Sequence, residues 1–443
     1  MKLKKGLIEI LVIKIFYFFL FFTILTSCSF NKNSKFWTST TPIKLEKDFN
    51  EIFLKEKKLQ NELNPNLKIQ FNYKTNNDTF LSKQLNNDGI VNFDNIIKKS
   101  SRYNFSKIKN FHQYEPEISF YKKNLIFFDN KGSILQFNQN SKLNWKKNYY
   151  SKSEKKLNPI LQFSSNDKYL IVTDNIAKYY LLDVKTGNLI WTKNNLAPFN
   201  SQVKIYKDMF FVIDFSNTLR CFSIKTGEEL WNIKTENSLV RSQKKLSLVI
   251  VKDKIYFNNS IGDITAVDIK KGEMIWQLPT QSTELVEAAF SLENSDIVSD
   301  NKSLFFSNNQ NQFFSIDIET GSFNWQNKVN SNIRPVVVGN IIFTVSLEGY
   351  LVVIDKISGN IIKVTDIFKT LKPKKRSKIK PTGFLIGFDK MYLSTSNGRI
   401  FIIDINLGKT ISVLKIDNEK ISRPFAMQNN LFVIKDNSVI RLN

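Results

Sequence analysis

The chain offers little from which to build a catalytic centre. Of its 443 residues one is histidine, His112, and two are cysteine, Cys28 and Cys221. A Ser-His-Asp relay would have to use His112. A zinc or iron–sulfur site would lack its usual complement of thiolates and imidazoles. No G-x-S-x-G, P-loop, C-x-x-C or H-E-x-x-H motif occurs. The acidic pairs Glu115 with Glu117 and Glu228 with Glu229 fall in turn or edge contexts and read as surface charge. No catalytic residue, metal ligand or cofactor is assigned, and the expectation is a binding or scaffold protein rather than an enzyme.

Cys28 is the residue whose surroundings do imply chemistry. Lys2, Lys4 and Lys5 give a positive start, and Ile15 to Leu25 is apolar or aromatic apart from Thr23. Eleven such residues are too few for a bilayer core, which needs about 20, but they suit the apolar region of an export signal. The run ends in Leu25-Thr26-Ser27-Cys28, the pattern of a bacterial lipobox. Small residues let a signal peptidase draw an extended chain into a narrow site, and the thiol takes the diacylglycerol. The expectation is a signal peptide over 1–27, an acylated Cys28 and a chain facing the periplasm. Ser29, rather than Asp, follows the Cys and favours the outer membrane. Cys221, in the strand-like Thr218-Leu219-Arg220-Cys221-Phe222, is then left without a partner and reads as a buried structural thiol.

The net charge is +24, from 64 Lys and Arg against 40 Asp and Glu. Loss of the leader, with four Lys and one Glu, would leave 416 residues at +21. Such a balance suits anionic surfaces, but the basic residues are mostly scattered, and the abundance of Asn, Lys, Ile and Phe fits a compositional bias. An exported chain argues against nucleic acid as a partner. The one dense basic run, Lys372 to Pro381, lies between strand-like segments and is expected to be a solvated loop.

The elements that must position everything else are repeated. An apolar strand, Asp, two residues, Thr, Gly, three residues and Trp recur: Asp183 to Gly187 with Trp191, Ser223 to Gly227 with Trp231, Asp268 to Gly272 with Trp276, and Asp317 to Gly321 with Trp325. Asp355 to Gly359 and Asp404 to Gly408 keep the turn but place Lys363 and Ser412 where Trp is expected, and Phe137 to Trp145 is a degenerate earlier copy. The glycines at 187, 227, 272, 321, 359 and 408 are 40, 45, 49, 38 and 49 apart, the length of four short strands with turns. The Asp accepts backbone N–H bonds, the Gly takes a left-handed conformation, and near-continuous apolar runs such as Ile400 to Ile403 suit strands buried between sheets. Trp145, Trp191, Trp231, Trp276 and Trp325 are expected to be packing staples between neighbouring sheets.

This pattern resembles the PQQ-type propeller repeat family and, within it, the BamB-like lipoproteins of the outer-membrane β-barrel assembly machinery. The resemblance covers about residues 100 to 443 and implies an all-β, eight-bladed propeller. The chain ends in two strands, within Asn430 to Asn443, with no further outer strand, so Ser101 to Lys107 is expected to supply it and close the ring. The resemblance also implies a non-enzymatic scaffold without cofactor, anchored through its acyl chain in outer-membrane lipid. Its implied partners are the POTRA domains of a BamA-like barrel protein and unfolded outer-membrane proteins. Residues Leu239, Val240 and Arg241 correspond in part to the family's partner-contact loop, and Glu293 and Asp296 lie where its acidic contact loop would fall. The alternatives are a propeller lipoprotein binding another envelope ligand, a glycan or a protein, and a quinoprotein dehydrogenase, which shares the repeat but would need a cofactor cage.

The expected organisation is therefore a leader over 1–27, an acylated tether over 28–100 and a propeller over 101–443. Within the tether, Leu45, Phe49, Ile52, Phe53, Leu59 and Leu63 have roughly helical spacing up to Asn64-Pro65, and a short amphipathic helix is expected. Asn76 to Phe105 is Asn-rich and is expected to be loop on the way to the closing strand.

Overall fold

The computed structural model describes residues 59, 61–69, 86–87, 91, 93, 97, 100–109, 111, 115–236, 242–281 and 292–443, all within one compact unit, Lys58–Asn443. The leader, Cys28, the tether's first part, His112 and the loop residues Leu239, Val240 and Arg241 lie outside the described residues.

Among the described residues thirty-two strands form eight antiparallel four-stranded sheets. Seven are built from consecutive strands: β2–β5 (119–147), β6–β9 (161–194), β10–β13 (204–234), β14–β17 (248–278), β18–β21 (298–327), β22–β25 (336–366) and β26–β29 (381–415). These are blades one to seven. The eighth is composite, in the order β1-β32-β31-β30, with β1 (Ser100–Asn104) from the N-terminal side and β30–β32 (425–442) from the end of the chain. Ser100 pairs with Leu442 and Asn104 with Ser438, so the two ends close the ring as the missing outer strand required. The architecture is the expected all-β, eight-bladed propeller.

Burial follows from this geometry. The second and third strands of each blade are packed on both faces by neighbouring blades and are buried along most of their length; Phe210, Phe211, Val212 and Ile213 of β11 (Met209–Ile213) have no exposed surface. Outer strands are half-exposed; the pattern of β13 (Glu229–Lys234) alternates, with Trp231 and Ile233 turned inward. Cys221, in β12, is fully buried, and burial pushes its thiol up to about 12, so it stays a neutral apolar side chain.

The staples are resolved in detail. The indole Nε1 of Trp145 donates to the Lys185 carbonyl, that of Trp191 to Ile224, Trp231 to Ile269, Trp276 to Ile318 and Trp325 to Lys356, at 2.9–3.2 Å. Each acceptor belongs to the next blade's repeat turn. In the seven consecutive blades a register shift in the third-to-fourth-strand pairing, such as that between Cys221 and Phe222 opposite Trp231, adds an extra residue, which in the tryptophan-bearing blades re-aims the ring toward the neighbour. Lys363 and Ser412 occupy the same register position, opposite Val353 and Ile402.

The tether departs from expectation at its described end. Leu59 and residues 61–63 are not helical, and Leu63 instead forms a β-bridge with Val364 on the outer strand of the sixth blade. Backbone pairing at a free outer edge outweighs the helical spacing of the leucines. The remainder of the 45–63 segment, apart from these residues, lies outside the described residues. The basic run is also more tied down than a solvated loop. Pro373–Arg376 forms one helical turn, and Arg376 pairs with Asp366 at 2.6 Å and lies over the Tyr350 ring. Lys372, Lys374 and Lys375 of that run are exposed.

Candidate functional site at the mouth of the channel

All eight innermost strands run in one direction, because each blade starts at the inside and ends at the outside with antiparallel steps. The connections between blades therefore gather at one mouth of the central channel, where the innermost strands begin. The Asp-x-x-Thr-Gly turns gather at the other. At the first mouth lies a cavity of about 930 Å³.

Residues that immediately precede the innermost strands converge on this cavity. They are Glu115 and Glu117 before β2, Lys244 and Lys245 before β14, Asp296 before β18, Arg334 before β22, and Lys420 and Arg423 before β30. They form a network that joins blades distant in sequence. Arg334 Nε donates to Asp296 at 2.7 Å, and Arg334 Nη2 also reaches Glu117 at 3.5 Å. Lys245 pairs with Glu117 at 3.2 Å, and Lys244 with Glu115 at 3.7 Å. Burial alone would raise the Asp296 carboxyl, but Arg334 and Lys245 outweigh it and hold it below the usual carboxylate range. The acids and bases are thus charged partners, with Phe111, Phe199, Phe215 and Phe425 adding apolar wall.

Just inside this mouth the channel holds the chain's own N-terminal segment, which docks on the first residues of three innermost strands and runs on to the far end of the seventh blade's innermost strand. Asn87 is fully buried, and its amide faces acceptors on three blades: the Gln202 side chain, the Leu248 carbonyl and the Ile297 carbonyl, at 2.9–3.2 Å. Its Oδ1 accepts from the buried Lys204 ammonium at 2.7 Å. Asn86 exchanges bonds with Ser299, while Val91 donates to Ile386 and Phe93 accepts from Phe388, on the seventh blade. The stretch read as loop thus contains anchors into the innermost strands.

The expected contact residues separate. Glu293 is exposed at the charged mouth, where Asn332 donates to its carboxylate. Asp296 is not an exposed loop acid but a largely enclosed member of the Arg334 pair, because its position is the last turn before an innermost strand. Glu117 likewise is buried rather than a surface charge, while Glu115, Glu228 and Glu229 are exposed. Beyond the undescribed loop, Ser242 is buried, lines the cavity and donates its N–H to Ser260. Arg334, Lys245 and Arg423 were missed because the repeat was aligned on its turns. Aligned on innermost-strand starts, the polar residues there form a column. Asn87 carries no comparable signal, since nothing in an Asn-rich segment distinguishes one Asn from its neighbours.

The sequence profile of outer membrane protein assembly factor BamB matches residues 130–365, more than half of the chain. The chain belongs to the BamB family. Two curated relatives are uncharacterised rickettsial proteins. That of Rickettsia conorii is 21% identical over 403 residues, covering 86% of this chain and 92% of its own length. That of Rickettsia prowazekii is 21% identical over 340 residues, covering 74% and 77%. Among solved structures, BamB from Moraxella catarrhalis superposes with a TM-score of 0.63 at 16% identity, over 79% of this chain and 99% of its own. The quinohemoprotein alcohol dehydrogenase of Comamonas testosteroni shares the fold at a TM-score of 0.57 and 8% identity, over 84% and 78%. At these identities the structural likenesses describe architecture alone.

Proposed function

We propose that this protein is a non-enzymatic scaffold lipoprotein of the β-barrel assembly machinery, held at the periplasmic face of the outer membrane by an acylated Cys28. Its mouth lined by the inter-blade connections receives the periplasmic POTRA domains of a BamA-like barrel protein, and the assembly helps unfolded outer-membrane proteins to insert. The observation that carries this reading is the BamB-family match over 130–365 on a closed eight-bladed ring. A rigid toroid suits a scaffold, since its connections are fixed by buried sheets and present a preformed surface that loses little entropy on binding. Within that surface, Leu239, Val240 and Arg241 supply two apolar anchors and a guanidinium, and Glu293 an exposed carboxylate, the mix of side chains expected at a protein interface.

The test is recovery of partners from bacterial envelopes with the tagged, acylated protein as bait. The reading predicts a barrel protein with POTRA repeats, and predicts its loss in the triple variant L239A, V240A, R241A. Recovery of a different envelope protein in repeated trials, with no POTRA-bearing barrel, would contradict it. Mass spectrometry should find the leader removed and residue 28 acylated.

A further inference from the structure

At the charged mouth the cations outnumber the carboxylates: Lys244, Lys245, Arg334, Lys380, Lys420 and Arg423 face Glu115, Glu117, Glu293 and Asp296. The paired members account for themselves. Glu117 serves Lys245 and Arg334, Asp296 serves Arg334, and Glu115 serves Lys244. Arg423 is different. Its Nε is sealed from solvent and has no hydrogen-bond partner, and its guanidinium lies over the Phe425 ring at 5.0 Å, in no ion pair among the described residues. Burial, with Arg334 beside it, pulls this guanidinium down to about 10, so the cation is held in an environment that disfavours it. Glu117, Asp296 and Glu115 act on it through space, but they do not offset the loss of solvation or bond its Nε.

We propose that the open cavity binds a carboxylate group, with Arg423 as its principal ligand. The geometry favours a carboxylate over a phosphate on two grounds. The neighbouring arginine, Arg334, is already satisfied by carboxylates, so the cavity's own chemistry shows what its guanidinium groups accept. The aromatic wall of Phe111, Phe199, Phe215 and Phe425 suits an anion carried on an apolar body better than a strongly hydrated one. Asn87 and its bonds to Leu248 and Ile297 sit just inside the charged residues, so the carboxylate enters from the mouth formed by the inter-blade connections. Its source is either an acidic side chain of a polypeptide or a free organic acid. The inference does not depend on the partner being BamA-like, and its failure would leave co-purification of that partner unaffected.

Calorimetric titration of the full mature protein in detergent tests it with three probes: the blocked tripeptide acetyl-Phe-Glu-Phe-amide, the same peptide with Gln for Glu, and free phenylacetate. We expect the Glu peptide or phenylacetate to bind saturably, and the Gln peptide to bind at least about tenfold more weakly than the Glu peptide. Preference for the Glu peptide assigns the source to a polypeptide, and preference for phenylacetate assigns it to a free acid. Arg423→Gln should weaken binding at least about tenfold and Arg423→Lys less. Because Arg423 is largely enclosed, its variants can unfold. Lys380→Glu, at an exposed position on the rim, should preserve the fold and still weaken the anion several-fold. Equal binding of the Glu and Gln peptides, no saturable binding of any carboxylate, or unchanged affinity in both a folded Arg423→Gln protein and Lys380→Glu would overturn the proposal.

Discussion

The indole of Trp325 lies against Gly359 of the next blade so closely that a Cβ there would sit 2.5 Å from the ring. The same indole donates to the Lys356 carbonyl at 2.9 Å. The contact recurs for Trp145 on Gly187, Trp191 on Gly227, Trp231 on Gly272 and Trp276 on Gly321. The repeat glycine thus has two jobs. It takes the left-handed conformation, φ +75° at Gly359, and it leaves room for the preceding blade's tryptophan. Glycine and tryptophan are one interaction written 34 residues apart.

Gly359→Ala should therefore destabilise the protein by about 2–4 kcal/mol, combining the left-handed penalty with overpacking against the ring. Trp325→Ala should cost about 2–3 kcal/mol, less than a fully buried Trp because the ring is half-exposed. In the double variant the costs should be less than additive, since removing the ring relieves the clash. Chemical denaturation of the three proteins measures this, and strict additivity would contradict the coupling.

Where the tryptophan is missing the chain uses another device. Lys363 stands in its register position, and its ammonium donates to the carbonyls of Leu67, Asn406 and Leu407, two of them in the next blade's turn. The third pins the N-terminal segment, which also bridges Val364 through Leu63. Lys363→Met should cost about 1–3 kcal/mol by stranding part-buried carbonyls, and should open the segment around the exposed Leu67 to protease. Cleavage kinetics near residue 67 that match the unaltered protein would refute this.

Asp174 ties the first and second blades together, accepting from Tyr150 at 2.5 Å and from the Ile176 and Lys178 amides. Burial outweighs these bonds and raises its carboxyl to about 6, above the ordinary 3.8. A raised carboxyl stabilises the fold when protonated. Its contribution is complete below pH 3.8 and is lost as pH rises through 6. Asp174→Asn should therefore gain stability relative to the parent between pH 4 and 7, by up to about 3 kcal/mol. Measuring the difference between the two proteins cancels the other titrating groups, and a difference flat with pH would refute the assignment.

An aromatic residue on the closing strand helps to hold the ring's seam. Tyr103 is buried and packs edge-on to Phe137 of the first blade at 5.7 Å and beside Phe432 of the eighth at 6.5 Å. Tyr103→Ala should destabilise by about 3–4 kcal/mol and speed hydrogen exchange selectively in 100–104 and 438–442. Faster exchange spread evenly over all blades would argue against a seam.

The fold was legible because a propeller writes itself repeatedly. Strand apolarity, the turn Asp and Gly, and the Trp each recur with a local physical reason, and the missing last strand pointed to 101–107, which overlaps the closing strand at 100–104. The site was less legible because it belongs to no single repeat. Glu117, Asp296, Arg334 and Arg423 come from different blades, and only closure of the ring brings them together. Their charges look like ordinary surface charges in sequence. Leu59 and Leu63 misled for the opposite reason. Helical spacing is local, whereas the free edge that Leu63 pairs with lies about 300 residues away.

The proposed scaffold role requires that the mouth lined by the inter-blade connections, and not the opposite face, receive a barrel protein with POTRA domains. Site-specific photocrosslinking in living envelopes tests it most directly. A crosslinker at the exposed Glu293, on that mouth, is predicted to give an adduct with such a protein, and one at the exposed Ile357, in a repeat turn on the other face, is predicted to give none. An adduct with that protein from Ile357 and none from Glu293 would contradict the account.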